Sequence, residues 1–387
     1  MHTNSASAAS GQRLWLALAW CLAAVVAPAT AMDAIDDDMA PIVVEPAKSA
    51  TLQQLMTKLH SERLVYVGET HTAFADHRIQ LQVLRSMAAR PEGLALGVEW
   101  FQARFQPFLD DYIAGRSDEA EMLRKTEYYD RCRFDYRLYR PIMRFAREKR
   151  IPVIALNASK ELTSAISRDG INGLPVAMRE ELPDSYDVND HAYEKHLRET
   201  FAMHKVEESA FQRFVEVQLT WDESMAQRVA KYLDEHPGGR MLVLAGKGHI
   251  GGRHGIPNRV ARRTGTDGKT IVRYTPNAAA FDQADFLLLA DDEPLPPAGM
   301  LRVMLDERDE GVFIAGFGDA SPAEGAGVKK GDRLLAINDI PIRHFVDVKL
   351  AMLDQPPGRE VTVKLLRDPL IGGERTVELT VALAGAD

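Results

Sequence analysis

Four residues of this chain have side chains that could hold a ligand or a metal, and each lies at or just after the end of a short apolar run. Glu69 and His71 follow Leu64–Gly68, Glu99 comes at the end of Leu94–Trp100, and His249 follows Met241–Ala245. Imidazole plus carboxylate is a donor set that suits zinc or manganese. A metal held there would lower the pKa of a bound water and make it a nucleophile. Asn157 and Lys247 follow strand-like runs in the same way, and a helix cap is the plainer reading of Asn157. Any one of these residues could be a satisfied buried polar group. Two histidines and two carboxylates delivered by the same kind of element point to a functional cluster.

The elements that position them are short buried strands. Leu64–Gly68, Leu94–Trp100, Ile151–Leu156 and Met241–Ala245 are apolar and β-favouring, and too short for helices. Helical patterns separate them. Asp76–Met87 turns Ile79, Val83, Leu84 and Met87 to one face. Alternating strands and helices imply a mainly parallel sheet, whose strand ends share the edge where ligands bind. Ser159–Phe214 contains no strand-like run and reads as a helical insertion over that edge. Its histidines, His191, His196 and His204, are not three or four apart and form no helical metal pair. The glycines of Gly246-Lys247-Gly248-His249 lack P-loop spacing and serve to let backbone approach a ligand closely. Arg124–Arg140 mixes Tyr128, Tyr129, Phe134, Tyr136 and Tyr139 with arginines and aspartates. It reads either as a surface helix with aromatic packing or as one wall of a pocket for a flat, anionic ligand.

At 387 residues and 45% hydrophobic composition, the chain can bury two cores. A net charge of −9 argues against a nucleic-acid partner, because there is no basic surplus to neutralise phosphates. The N-terminus reads as an export signal over residues 1–31: Arg13, the apolar Leu14–Val26, then Ala29-Thr30-Ala31 for cleavage. The protein is therefore expected to be exported and periplasmic, or membrane-associated if the apolar segment is retained. Cys21 follows Trp20 inside the apolar run and does not fit a lipid-attachment site. Cleavage leaves one cysteine, Cys132, which cannot form an internal disulfide.

Several motifs together resemble the ChaN-like haem-binding uptake proteins of the Tiki/erythromycin-esterase-like superfamily. They are GETH at Gly68–His71, VEWF at Val98–Phe101, ALN at Ala155–Asn157, QLTWDESMA at Gln218–Ala226 and AGKGHI at Ala245–Ile250. The resemblance covers residues 50–265. It implies an exported α/β protein that binds haem, with Glu69, His71, Glu99, Asp222 and His249 at the cofactor. It also implies tyrosine ligation, for which Tyr136 and Tyr139 are the candidates. The metal-dependent peptidases and esterases of the superfamily keep open the alternative of a hydrolase with zinc or manganese on Glu69, His71, Glu99 and His249. A homodimer is left open.

Asp291–Ala298 is acidic and proline-rich and reads as a linker. Residues 299–384 then change to short β-runs with one helix near Phe345–Leu353. Ser321–Val328 (SPAEGAGV) followed by Gly331–Leu334 (GDRL) is similar to bacterial PDZ domains. Such a domain adds a partner's C-terminal peptide to an exposed sheet edge. The resemblance implies a groove along Gly299, Met300, Leu301, Arg302 and Val303, with amides near Gly299–Leu301 on the terminal carboxylate. The expected fold is thus α/β, a mainly parallel sheet flanked by helices with a helical insertion, followed by a small mostly-β PDZ domain.

Overall fold

The computed structural model describes residues 49–90, 92–201, 208–274, 284–368 and 373–385. The export signal expected at residues 1–31 lies outside the described residues. The first sheet has six parallel strands in the order β3-β2-β4-β1-β5-β6. These are β1 (Leu64–Glu69), β2 (Leu94–Gln102), β3 (Val153–Asn157), β4 (Arg240–Gly246), β5 (Lys269–Arg273) and β6 (Phe286–Leu288). Every residue of β1 and β4 is buried, as befits central parallel strands covered on both faces. Alternation along β1 sends Val65 and Val67 into one core layer and Leu64 and Tyr66 into the other. The first layer packs the helix Phe74–Met87, and the second packs the long helix Glu208–Glu235.

The sheet continues past residue 265, the end of the segment that carries the ChaN-like resemblance. The strand β5 (KTIVR) pairs with β1 in parallel. Charged residues at both ends hide its apolar centre in the sequence, yet Thr270, Ile271 and Val272 are buried. Helices Lys160–Asp169, Val176–Arg179 and His191–Phe201 form the expected insertion.

The second sheet contains β7 (Val303–Arg308), β8 (Gly311–Phe317), β9 (Arg333–Ile337), β11 (Glu360–Arg367) and β12 (Arg375–Ala382), all antiparallel, with the two-residue β10 (Ile340–Pro341) on β9. Its own core includes Val312, Leu334, Ile337, Val348 and Val363. The connecting segment is laid along the first domain. Arg273 reaches Asp292 at 2.8 Å, Arg78 pairs with Glu293, Leu295 packs on the first core, and Arg137 donates to Pro296 O at 2.7 Å. Helix Phe345–Met352 also faces the first domain, through Arg124–Asp347 at 3.0 Å and the packing of Leu350 and Leu353.

Candidate functional site

The carboxyl ends of β1, β2, β3 and β4 meet at one edge. Glu69 is the last residue of β1 and is 2% exposed. Its Oε1 takes the Nδ1 side of His71 at 2.7 Å. A carboxylate on Nδ1 fixes that nitrogen as the proton carrier and leaves Nε2 for the cavity. The ring of His71 stacks on Phe134 with centroids 4.5 Å apart. Glu99, from β2, accepts the amide of Gly246 at 2.6 Å through Oε2. A Cβ on Gly246 would stand 2.9 Å from His71 Cε1 and 3.5 Å from Glu99 Oε2. Only glycine at the end of β4 lets imidazole and carboxylate come this close.

His249 follows β4 on a short turn of helix. Its Nδ1 lies 2.7 Å from Asp222 Oδ1, and its Nε2 lies 3.6 Å from Glu99 Oε1. Asp222 stands on the long helix, is 1% exposed, and accepts Tyr193 OH at 2.6 Å through its other oxygen. Burial alone would lower the pKa of His249. The charges of Asp222 and Glu99 outweigh it and hold the imidazole up at about 9. The pKa of His71 is also raised: burial opposes this, and the hydrogen bond and charge of Glu69 prevail. Glu99 thus sits between two imidazoles, each oriented by its own buried carboxylate.

In front of these groups lies a cavity of about 210 Å³ whose walls include Trp100, Phe134, Tyr139 and Trp221. Tyr139 packs against Trp100 at 4.4 Å between centroids. Burial, then the charges of Glu69, Cys132 and Glu99, push its phenol well above the ordinary tyrosine range. Three buried polar atoms of the lining residues have no hydrogen-bond partner: Glu69 Oε2, Trp100 Nε1 and Asn157 Oδ1. Buried polar atoms are rarely left so, and three on one cavity mark a place for a polar or mixed ligand. Aromatic walls with a few convergent polar groups fit the face of a flat, largely apolar cofactor such as haem.

The structure therefore brings together Glu69, His71, Glu99, Asp222, His249 and Tyr139. It does not bring Tyr136. That side chain is fully buried, and its hydroxyl donates to Glu119 Oε1 at 3.3 Å, away from the cavity. Glu119 is in turn held by Arg140 and Arg144. Two residues not expected at the site also stand there: Trp221, beside Asp222 in the QLTWDESMA motif, and His77, whose Nε2 lies 3.7 Å from Glu69 Oε2; no spacing in the sequence marks either. Among the described residues no group of three or more His, Cys, Asp or Glu side chains is arranged to hold an ion. The carboxylates of Glu69 and Glu99 are used pairwise instead.

Two of the amides expected in the peptide groove are already engaged. Gly299 N donates to Gln355 O at 2.7 Å and Met300 N to Ala384 O at 2.8 Å, so neither amide is available to a carboxylate. Leu301 is buried, and Arg302 O accepts the amide of Gly318. Of the five residues, Val303 alone lies on β7, the edge strand of its sheet. The helix beside that strand is tied to it by His344 Nδ1 and Phe345 N on Glu307, at 2.8 and 3.0 Å.

Residues 55–260 match the family described as haem-binding uptake, Tiki superfamily, ChaN, and residues 299–383 match the PDZ domain. A solved structure describing cofacial heme binding to ChaN of Campylobacter jejuni is 16% identical, with a TM-score of 0.47, and covers 62% of this chain and 91% of that one. Among curated proteins, tight junction protein ZO-3 of Canis lupus familiaris is 36% identical over 62 residues, which is 16% of this chain and 7% of the relative. A probable periplasmic serine endoprotease, DegP-like, of Rickettsia conorii is 36% identical over 58 residues, 15% of this chain and 11% of the relative. The chain thus spans only a small fraction of the curated relatives it matches. The ChaN match covers more than half of the chain, and the protein belongs to the haem-binding uptake family of the Tiki superfamily, with a PDZ domain following the family domain.

Proposed function

We propose that this is an exported protein that binds haem at the sheet-edge cavity and serves haem or iron uptake, while its PDZ domain takes the C-terminal tail of a partner protein. The observation that carries the haem reading is the aromatic cavity inside the family-matched segment, with Tyr139 beside Glu69, His71 and Glu99. Tyr139, Trp100 and Phe134 would hold the macrocycle, and the imidazole–carboxylate pairs would set the polarity of its surroundings. Bound haem would supply a redox-active iron whose properties follow its axial ligand. Export rests on the charge and hydropathy pattern of residues 1–31. Titration of the full chain with hemin tests the reading: a saturable Soret shift supports it, and binding no tighter than to a control protein overturns it. Mass spectrometry of the protein from its host is expected to give a mature N-terminus at Met32; an intact N-terminus or a lipid on Cys21 would overturn export.

A second reading is hydrolysis, and the paired dyads favour it. His71, oriented by Glu69, is placed to take a proton from water, and His249, oriented by Asp222, is placed to return one to a leaving group. Turnover of an ester or peptide panel that disappears in both His71→Ala and His249→Ala would put it ahead of the first. No turnover alongside tight hemin binding would dismiss it.

A further inference from the structure

Asn157 lines two cavities: the one already described, and a second of about 350 Å³. The second has apolar walls from Leu156, Ala158 and Pro183; Arg228 opens into it from the long helix, and its one lining acid among the described residues, Glu181, already accepts the Ser159 hydroxyl at 2.5 Å. Arg228 is half-buried, with only neutral partners. Its Nε donates to Ala155 O at 3.2 Å and its Nη2 to Gln106 Oε1 at 3.3 Å. No carboxylate pairs with it among the described residues, and burial lowers its pKa. The other lining guanidiniums differ. Arg131, in the first cavity, is held by Glu127 and Glu161, and Arg104, in the second, is held by Glu161.

A guanidinium partly withdrawn from water with no carboxylate paired to it is costly, and a carboxylate meeting it on two hydrogen bonds offsets that cost. In the first cavity Glu69 and Glu99 already engage the imidazoles of His71 and His249, so a ligand carboxylate there would compete with two acids for the same cations. The volume of that cavity also falls below the roughly 300 Å³ at which sites for drug-sized ligands begin, so it accommodates only part of a large planar molecule. A ligand with a flat apolar body and an acidic arm would therefore lay the body against Trp100 and Tyr139 and send the arm past Asn157.

We propose that Arg228 anchors a carboxylate arm of the ligand whose planar body occupies the first cavity, an arm of the propionate type. This rests on the haem-binding reading. The test is titration of the full chain with hemin and with hemin dimethyl ester, whose propionates are capped, for wild type, Arg228→Gln and Arg228→Lys. Wild type is expected to bind hemin about tenfold more tightly than the diester, the scale of one charge-assisted hydrogen-bonded pair. Arg228→Gln is expected to lose that tenfold for hemin and to bind the two ligands equally, with Arg228→Lys between. Equal loss of both ligands in Arg228→Gln, with Arg228→Lys also failing to prefer hemin, overturns the anchor. So does wild-type affinity for hemin in Arg228→Gln. Failure of wild type to bind hemin at all overturns the haem reading and this inference with it, whereas the other negative results leave the haem reading standing.

Discussion

His249 Nδ1 and Asp222 Oδ1 stand 2.7 Å apart, on a turn after β4 and on the long helix respectively, and this contact decides the charge of the site. With a pKa of about 9, His249 is an imidazolium at neutral pH, facing Glu99 through Nε2. Tyr193 on the other oxygen of Asp222 extends the hydrogen bonding into the helical insertion.

The pH dependence of stability follows from this pair. The folded-state pKa of His249 is raised above its ordinary 6.5, so the folded state binds the proton more tightly. The contribution is whole below about pH 6.5 and fades as pH rises through about 9. Its size is on the order of 3 kcal/mol. Urea unfolding from pH 6 to pH 10 is expected to show this loss in wild type and most of it missing in Asp222→Asn. Parallel curves for the two proteins would refute the assignment.

Tyr139 and Tyr136 are expected to separate in spectroscopy. Tyr139→Phe removes a hydroxyl that no described residue engages and should change the Soret position or weaken hemin binding. Tyr136→Phe loses its hydrogen bond to Glu119, costs about 1 kcal/mol of stability, and leaves the spectrum alone. A spectral change in Tyr136→Phe with none in Tyr139→Phe would contradict the placement.

Gly246→Ala is a steric test of the site. The added methyl meets His71 Cε1 at 2.9 Å, so the ring must leave Phe134 or Glu69. Overpacking of this kind costs about 1–3 kcal/mol. Hemin affinity is expected to fall with it. A melting temperature and affinity equal to wild type would show that His71 is not held where described.

Peptide binding to the PDZ domain should register along β7. Chemical shifts of Val303–Arg308 are expected to move with an apolar-ended peptide, while the amides of Gly299 and Met300 stay put because Gln355 and Ala384 hold them. The opposite pattern would restore the groove to residues 299–303.

The contact between the domains can be measured as a coupling. Arg124 and Asp347 meet at 3.0 Å, with Asp347 nearly buried and also accepting the amides of Arg343 and His344. A double-mutant cycle of Arg124→Ala and Asp347→Ala is expected to return about 1 kcal/mol of interaction energy. Zero coupling would mean that the pair holds nothing together.

The sequence by itself determined the frame of the site. Four short apolar runs with polar residues at their ends could only be buried strands, and their parallel alternation with helices forced Glu69, His71, Glu99 and His249 to one edge. Local pattern suffices there because strand length, burial and chain reversal are short-range properties. Tertiary packing alone decided the rest. Tyr136 and Tyr139 lie three apart on one helix, and periodicity places them on one side of it. Only the neighbours send one hydroxyl to Glu119 and the other residue to the cavity. The strand Lys269–Arg273 looks like a charged loop until β1 pairs with it, and the amides of Gly299 and Met300 look free until the far end of the domain returns to cover Met300. Arg228 reads as one more surface cation of a long helix. Its want of a carboxylate depends on residues remote in sequence, because charge pairing is settled by which chains meet in space and not by the order in which they are strung.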